Sequence, residues 1–208
     1  MSIDLRCFTY VNILQPQTAS FLGTVSQGYH PLEGESALFI EVSPGMDVNI
    51  VTDIALKNTQ VAPGMMVVER RSGALELHHE DLGQVHTAGE TILEQLGVKI
   101  SDRLKPRIVS TQTLTGIEGY QAQLVNRMRH GNFLTENETL YVLEVHPAGY
   151  ALLATNEAEK AADINVLEFR AFGAFGRVYL GGSEANIEEA SKAALRALSE
   201  IEGRPNEG

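Results

Sequence analysis

The chain has 208 residues, 43% of them hydrophobic and 21% charged, with a formal net charge of −11 at pH 7. This is the composition of an ordinary globular protein, and its negative charge argues against nucleic acid as a partner, because phosphate binding needs clustered Lys and Arg. No apolar run approaches the roughly 20 residues that cross a bilayer, and the start lacks a secretory signal, so we expect a cytoplasmic protein without a membrane partner.

The first half of the chain predicts the order strand, helix, strand, helix, two strands, helix. Cys7 lies in the opening apolar stretch and is expected to be a small core residue. A near-continuous apolar run that ends at Pro44 is typical of a central strand, and helical spacing of apolar residues follows it. The predicted strands are 5–14, 37–42, 65–68 and 74–77, and the predicted helices lie before residue 37, at 48–56 and at 85–96.

The second half predicts the same order of elements. The cluster of Arg and His at 126–130 closes an apolar-spaced stretch before Gly131, as cations and a glycine do at the end of a helix. The predicted strands are 107–114, 140–145, 163–167 and 177–180, and the predicted helices are 120–128, 151–162 and 187–201. Residues 204–208 are expected to be a frayed tail.

The two halves repeat one another at an offset of 103 residues. Turn and strand residues keep this register together, as two copies of one backbone require. The matching pairs include Gly28 and Gly131, Glu41 and Glu144, Pro44 and Pro147, Lys57 and Lys160, and Gly73 and Gly176. The repeat predicts two domains, 1–103 and 104–208, each an α+β unit with helices on a mainly antiparallel sheet.

Several segments carry a resemblance to bacterial microcompartment shell proteins. Residues 172–184 resemble the pore loop and following strand of that family, and residues 37–57 resemble its first strand and helix. The strand and short helix that open each repeat match the circularly permuted, tandem-domain members that form trimers. Segments 68–70, 147–151 and 156–162 look most like the double-stacking subgroup with gated pores.

The resemblance implies a structural protein rather than an enzyme, with no cofactor and no metal. Three chains of two domains would form a homotrimer shaped as a pseudohexamer, with one loop from each domain around a central pore. Two trimers could stack face to face as a dimer of trimers. The implied partners are other shell hexamers and pentamers and the metabolites that pass the pore, and the implied location is the shell of a bacterial microcompartment.

The same resemblance assigns the candidate site residues. Glu69 and Arg70 correspond to the gating pair of the first domain, where carboxylates and guanidiniums can pair around the axis or separate. Phe172 and Gly173 belong to the pore loop of the second domain, which has no charge in its core. Outside the family context, Glu69 and Arg70 would simply be a surface ion pair.

Lys57 and Lys160 match the edge lysines with which tiles of this family meet. A long apolar stem that carries an ammonium suits a flat edge contact, although a cation near a helix end is also favoured by the helix dipole alone.

Two other functions are compatible with parts of this sequence. Residues 78–81 with His86 carry metal-binding side chain types, but neighbouring residues on a strand point to opposite faces, and a solvent-exposed loop is the preferred interpretation. The stronger rival is an enzyme or a small-ligand-binding protein, since tandem α+β units often hold pockets. The sequence shows no phosphate-binding glycine loop, no metal-ligand spacing and no serine elbow, and the ligand-binding alternative stays open.

Overall fold

A computed structural model describes residues 3–207 of the protein. The predicted order of strands and helices is confirmed in both halves, with shifts of a few residues at element ends. The first half contains β1 (Asp4–Val11), α1 (Pro16–Val25), β2 (Ser36–Ser43), α2 (Val48–Asn58), β3 (Ala62–Glu69), β4 (Ser72–His79) and α3 (Leu82–Leu96). The second half contains β5 (Arg107–Leu114), α4 (Gly119–Met128), β6 (Thr139–His146), α5 (Tyr150–Ala161), β7 (Asn165–Arg170), β8 (Gly176–Gly182) and α6 (Glu184–Ser199).

Each half supplies one antiparallel four-stranded sheet. The strand orders are β1-β2-β4-β3 and β5-β6-β8-β7, so the two most apolar strands, β2 and β6, lie inside their sheets as predicted. The pairing register repeats at the sequence offset: Phe8 lies opposite Ile40, and Thr111 lies opposite Leu143. The α+β class and its mainly antiparallel sheets are therefore confirmed.

The first sheet is buried on both faces. One face packs against α2 and α3 through residues such as Leu75 and Ile92. The other face contributes Cys7 and Phe39 to a core shared with Tyr150 of the second half, so Cys7 is the buried core residue that the sequence predicts. A sheet covered on both faces explains why β2 reads as a continuous apolar run instead of an alternating one.

The two halves meet where α1 lies against α5 and β7, a contact that we call the intrachain seam. The side-chain amide of Gln17 donates a hydrogen bond to the backbone carbonyl of Ile164 at 2.7 Å and accepts one from the backbone N–H of Val166 at 2.9 Å. This pairing satisfies backbone groups at the start of β7, which is an edge strand of its sheet: the carbonyl of Ile164 just before the strand and the N–H of Val166 within it. Beside it, the rings of Phe21 and Phe169 lie 4.3 Å apart.

Glu159 completes the intrachain seam at the start of α1. Its carboxylate accepts hydrogen bonds from the backbone N–H of Gln17 at 2.7 Å and from the N–H and hydroxyl of Thr18 at 2.8 Å each. The first turn of a helix leaves such N–H groups without helical partners, and the N-cap residue of α1 gives them no side-chain hydrogen bond. The second half therefore caps a helix of the first.

The prediction that residues 204–208 fray is wrong for residues 204–207. Arg204 forms a parallel bridge with Leu104 in the segment that joins the two halves, and its guanidinium donates to Asp4 at the start of β1. Asn206 donates to the carbonyl of Lys105 at 2.8 Å. A polar tail is ordered here because its partners are backbone groups and a carboxylate far away in sequence, which composition does not reveal.

Candidate pore loops and assembly surfaces

The equivalent connections β3–β4 and β7–β8 differ in length and character. In the first half, Glu69 ends β3 opposite Ser72, and only Arg70 and Arg71 form the turn. In the second half the connection runs over residues 171–175, which contain no charged side chain. The first connection therefore presents charge on a tight turn, and the second presents a longer loop of small and aromatic residues.

The structure brings Glu69 and Gly173 together. The Glu69 carboxylate lies 3.3 Å from the point that a Cβ atom on Gly173 would occupy. Gly173 has φ of +99°, a conformation that side chains with a Cβ rarely adopt, and a larger residue would also crowd Glu69. Two of the four candidate pore residues, one from each half, thus lie side by side within a single chain.

Arg70 and Phe172 have different surroundings. Arg70 is exposed and has φ of +54°, the left-handed region that non-glycine residues avoid. Among residues 3–207, neither Glu69 nor Arg70 forms a salt bridge, so both charges remain available to groups outside this chain. Phe172 is partly buried against the shared core, with the guanidinium of Arg170 5.6 Å from its ring centre.

The two candidate edge lysines occupy matching positions in the last turns of α2 and α5. The ammonium of Lys57 lies 2.7 Å from Asp53, and that of Lys160 lies 3.7 Å from Glu157. Their side chains are 71% and 61% exposed. Such exposed pairs contribute little to the stability of the chain, so the ammonium groups can exchange their partners at small cost.

The histidine segment differs from the solvent-exposed loop that the sequence suggested. His78 lies in β4 and is only 3% exposed, and its Nδ1 is 3.0 Å from a carboxylate oxygen of the fully buried Glu76. The prediction is wrong for His78, because its side chain and that of Glu76 lie on the face of the sheet covered by α1 and the following loop. It holds for Glu80 and Asp81, which are exposed between β4 and α3. Within residues 3–207 no group of three His, Cys, Asp or Glu side chains is placed to hold a metal ion.

Burial and mutual contact shift the titration of this pair. Burial raises the pKa of Glu76, although the hydrogen bond and charge of His78 oppose that shift. Burial alone would lower the pKa of His78, but the hydrogen bond and charge of Glu76 outweigh it and raise that pKa. In the second half the equivalent positions are Tyr179 and Gly181, so this titrating pair belongs to the first half alone.

Two exposed apolar surfaces reproduce the two sides of the intrachain seam. The α4 surface comprises Leu114, Tyr120 and Leu124, whose equivalents 103 residues earlier are Val11, Gln17 and Phe21. The α2 surface comprises Met46, Ile50, Leu56 and Met66, whose equivalents 103 residues later are Gly149, Leu153, Glu159 and Phe169. Each side of the seam thus has a copy in the other half that none of residues 3–207 covers.

The exposure of matched residues makes the contrast quantitative. Phe21 and Phe169 are 3% and 2% exposed in the intrachain seam, whereas their equivalents Leu124 and Met66 are 46% and 39% exposed. Large apolar side chains are seldom left open on both sides of a repeated unit unless something covers them. Sequence reasoning missed these surfaces, although the repeat offset was the signal that could have located them.

The structure thus defines a class of protein: two copies of one α+β unit, each with a four-stranded antiparallel sheet and a connecting loop at the same end of that sheet. The family model described as the CsoS1D N-terminal domain matches residues 5–102. The chain is 49% identical to the carboxysome shell protein CcmP of Synechococcus elongatus over 208 residues, which are all of this chain and 98% of that protein. It is 44% identical to the carboxysome shell protein CsoS1D of Prochlorococcus marinus, over 96% of this chain and 78% of that protein.

Two solved structures share the whole fold. The fused permuted hexameric shell protein of the RMM microcompartment superposes with a TM-score of 0.94 at 46% identity, over 97% of this chain and 99% of that one. The double-ringed trimeric shell protein of the same microcompartment gives 0.95 at 38% identity, over 98% and 100%. The chain belongs to the family of tandem-domain microcompartment shell proteins that includes CcmP and CsoS1D. It is a structural shell protein rather than an enzyme, which closes the alternative that the sequence left open.

Membership of this family places the chain in the shell of a bacterial microcompartment, within the cytoplasm. None of the helices in the described part of the chain is long and apolar enough to span a membrane.

Proposed function

We propose that the protein is a homotrimeric shell tile with a gated central pore for metabolites. Three chains would supply six domains in a closed ring. The proposed domains are 1–103 and 104–208, and the tile would assemble with other shell hexamers and pentamers.

The observation that carries this proposal is the pair of uncovered seam surfaces. If the α4 surface of one chain packs on the α2 surface of the next as α1 packs on α5 within a chain, every domain meets its neighbour in the same way. A repeated head-to-tail contact closes into a ring when its rotation divides a full turn. With two domains per chain and sixfold pseudosymmetry, three chains complete the ring.

In such a ring the β3–β4 and β7–β8 connections would surround the axis. Each Glu69 would have Gly173 of its own chain beside it, and Arg70 would project from the turn toward a neighbour. Pairing of the three Glu69 carboxylates with Arg70 groups would close the opening, and their separation would widen it. The loop containing Phe172 and Gly173 would move aside, and it would contribute no charge to the pore.

Lys57 and Lys160 would meet neighbouring tiles at the outer edge. Their matched positions on α2 and α5 would give six lysines per ring at the repeat expected of a pseudohexagonal edge. Stacking of two trimers face to face is proposed from the likeness to the double-ringed trimeric protein of the RMM microcompartment.

Solution mass and imaging of one sample test this function. Sedimentation of the purified protein should give a trimer or a pair of trimers, and electron microscopy of the same sample should show sheets. A monomer or dimer that forms no sheets at any concentration would exclude the tile.

A further inference from the structure

The starts of the two equivalent helices α1 and α4 are capped in different ways. At α1 the cap comes from the other half, through Glu159, and the helix has no cap of its own. At α4 the cap is local: the Glu118 carboxylate accepts from the N–H groups of Tyr120 at 2.8 Å and Gln121 at 3.2 Å. The residue equivalent to Glu159 on the α2 surface is Leu56, which cannot cap a helix.

These differences compensate one another. Leu56 is 46% exposed and Tyr120 is 60% exposed, and each occupies the place of a polar partner in the intrachain seam, Glu159 and Gln17 respectively. An apolar side chain facing the start of α4 is acceptable only because Glu118 already satisfies the N–H groups there. In the ring proposed above, a second acidic residue, placed at position 56, would stand close to Glu118 of the neighbouring chain.

We propose that the seam between chains is an apolar variant of the seam within the chain, in which Leu56 packs on Tyr120 at the start of α4 in the next copy. This inference rests on the proposed ring and names the contact that joins its members. The partner is a second copy of the same chain, presented by its second half.

Each of the two seams disfavours the pairing of two like halves. If α4 met the α5 of another second half, Glu118 and Glu159 would be brought together, and like charges at a contact are unfavourable. If α1 met the α2 of another first half, the N–H groups of Gln17 and Thr18 would face Leu56 without an acceptor. First and second halves therefore alternate around the ring, and a pair of like halves is disfavoured.

A double-variant cycle tests the contact. Leu56→Glu should raise the midpoint concentration of trimer dissociation at least about tenfold, because it sets a carboxylate beside Glu118 in all three seams, and tenfold corresponds to about 1.4 kcal/mol. Adding Glu118→Gln should return the midpoint to within about threefold of the parent, because Glu at position 56 then caps α4 as Glu159 caps α1. Mass photometry over a dilution series measures the midpoint, with urea added to bring the parent into its dissociating range.

Leu82→Glu provides the matched control. Leu82 is 38% exposed at the first position of α3 and lies outside both surfaces. Glu184 occupies the same first position in α6, where the offset between the halves is 102 residues. This variant should dissociate like the parent. A Leu56→Glu variant that dissociates like the parent, or a double variant no tighter than Leu56→Glu alone, would overturn the contact while leaving the trimer standing. A parent that never forms trimers would instead refute the ring itself.

Discussion

Arg70 holds the backbone in a conformation that its side chain disfavours. Its φ of +54° falls where a Cβ atom costs roughly 1–2 kcal/mol, and glycine would fit this two-residue turn without that cost. Local folding preferences therefore do not explain an arginine here. The proposed gate explains it, because a gate needs a long cation at the tip of the turn. The backbone strain at Arg70 therefore indicates a role in function rather than in stability.

Replacing Arg70 separates the stability of the chain from the state of the pore. Arg70→Gly should leave the free energy of unfolding unchanged or raise it by about 1 kcal/mol, because glycine relieves the strained turn. Both Arg70→Gly and Arg70→Ala should give an open or leakier pore, since Glu69 loses its counterion. Crystal structures of the two variants, together with urea unfolding, measure both effects. Crystals that show only a closed axis would count against the gate.

The titration of Glu76 and His78 should make stability depend on pH. Both pKa values are raised in the folded chain, and the charge of Glu35 adds to the increase, so the folded state binds more protons than the unfolded state. This contribution is complete below the pKa values of the unfolded chain and is lost as pH rises through the folded values. The free energy of unfolding should therefore fall as pH rises above the ordinary values of the two groups, 4.5 for the glutamate and 6.5 for the histidine, with a slope of at most about 1.4 kcal/mol per pH unit for each proton difference.

Glu76→Gln should flatten that decline because it removes one titrating group and the acid that holds the proton on His78. His30→Gln, which changes an exposed histidine near the same cleft, should keep the decline. Urea unfolding at a series of pH values makes the comparison. An equal slope in the parent and Glu76→Gln would show that other groups set the dependence.

At the scale of elements, the sequence predicts what depends on local pattern. The strands and helices of both halves follow apolar spacing, and the glycines and prolines at their ends keep the 103-residue offset. The cap of α1 and the ordered tail at Arg204 escape prediction because their partners are distant in sequence. The partner of the cap lies 141–142 residues away, and the partners Leu104 and Asp4 of Arg204 lie 100 and 200 residues away. The burial of His78 escapes prediction for a similar reason, because coverage by α1 and its loop is a tertiary effect that a pair of adjacent histidines does not reveal.

The intrachain cap predicts a stability difference between two neighbouring acidic residues of α5. Glu159→Ala should lower the free energy of unfolding by about 1–2 kcal/mol, because α1 has no other side-chain cap. Glu157→Ala removes a surface pair with Lys160 and a long hydrogen bond of 3.4 Å from the amide of Asn156, and should change the free energy of unfolding by less than about 0.5 kcal/mol. Urea unfolding at a fixed protein concentration compares the two. Equal losses of free energy of unfolding would mean that either substitution destabilises α5 and that loss of the α1 cap is not the cause.

At the scale of the whole molecule, the 103-residue offset relates the apolar surfaces that the chain covers to the equivalent surfaces that it leaves exposed. The family resemblance implies a trimer, but it does not locate the contact surfaces. The sequence alone does not distinguish a buried apolar residue such as Phe21 from an exposed one such as Leu124. Only the folded chain shows that one copy of each helix is covered and the other is not. In the proposed ring, the two halves would therefore share a fold but differ in whether their seam partner comes from the same chain.

The proposed outer edge of the ring allows assembly of trimers to be tested apart from their formation. Lys57→Ala with Lys160→Ala should leave the solution mass at that of the parent, because both ammonium groups are exposed and lie outside the seam residues Leu56 and Tyr120. The same variant should form no sheets by electron microscopy, since each edge loses the flexible cation that meets the next tile. Lys192→Ala removes a lysine of similar exposure, 60%, that pairs with Glu188 on α6, and should still form sheets. Sheets that persist without Lys57 and Lys160 would refute the edge role, whereas loss of the trimer would place these lysines in the contact between chains rather than between tiles.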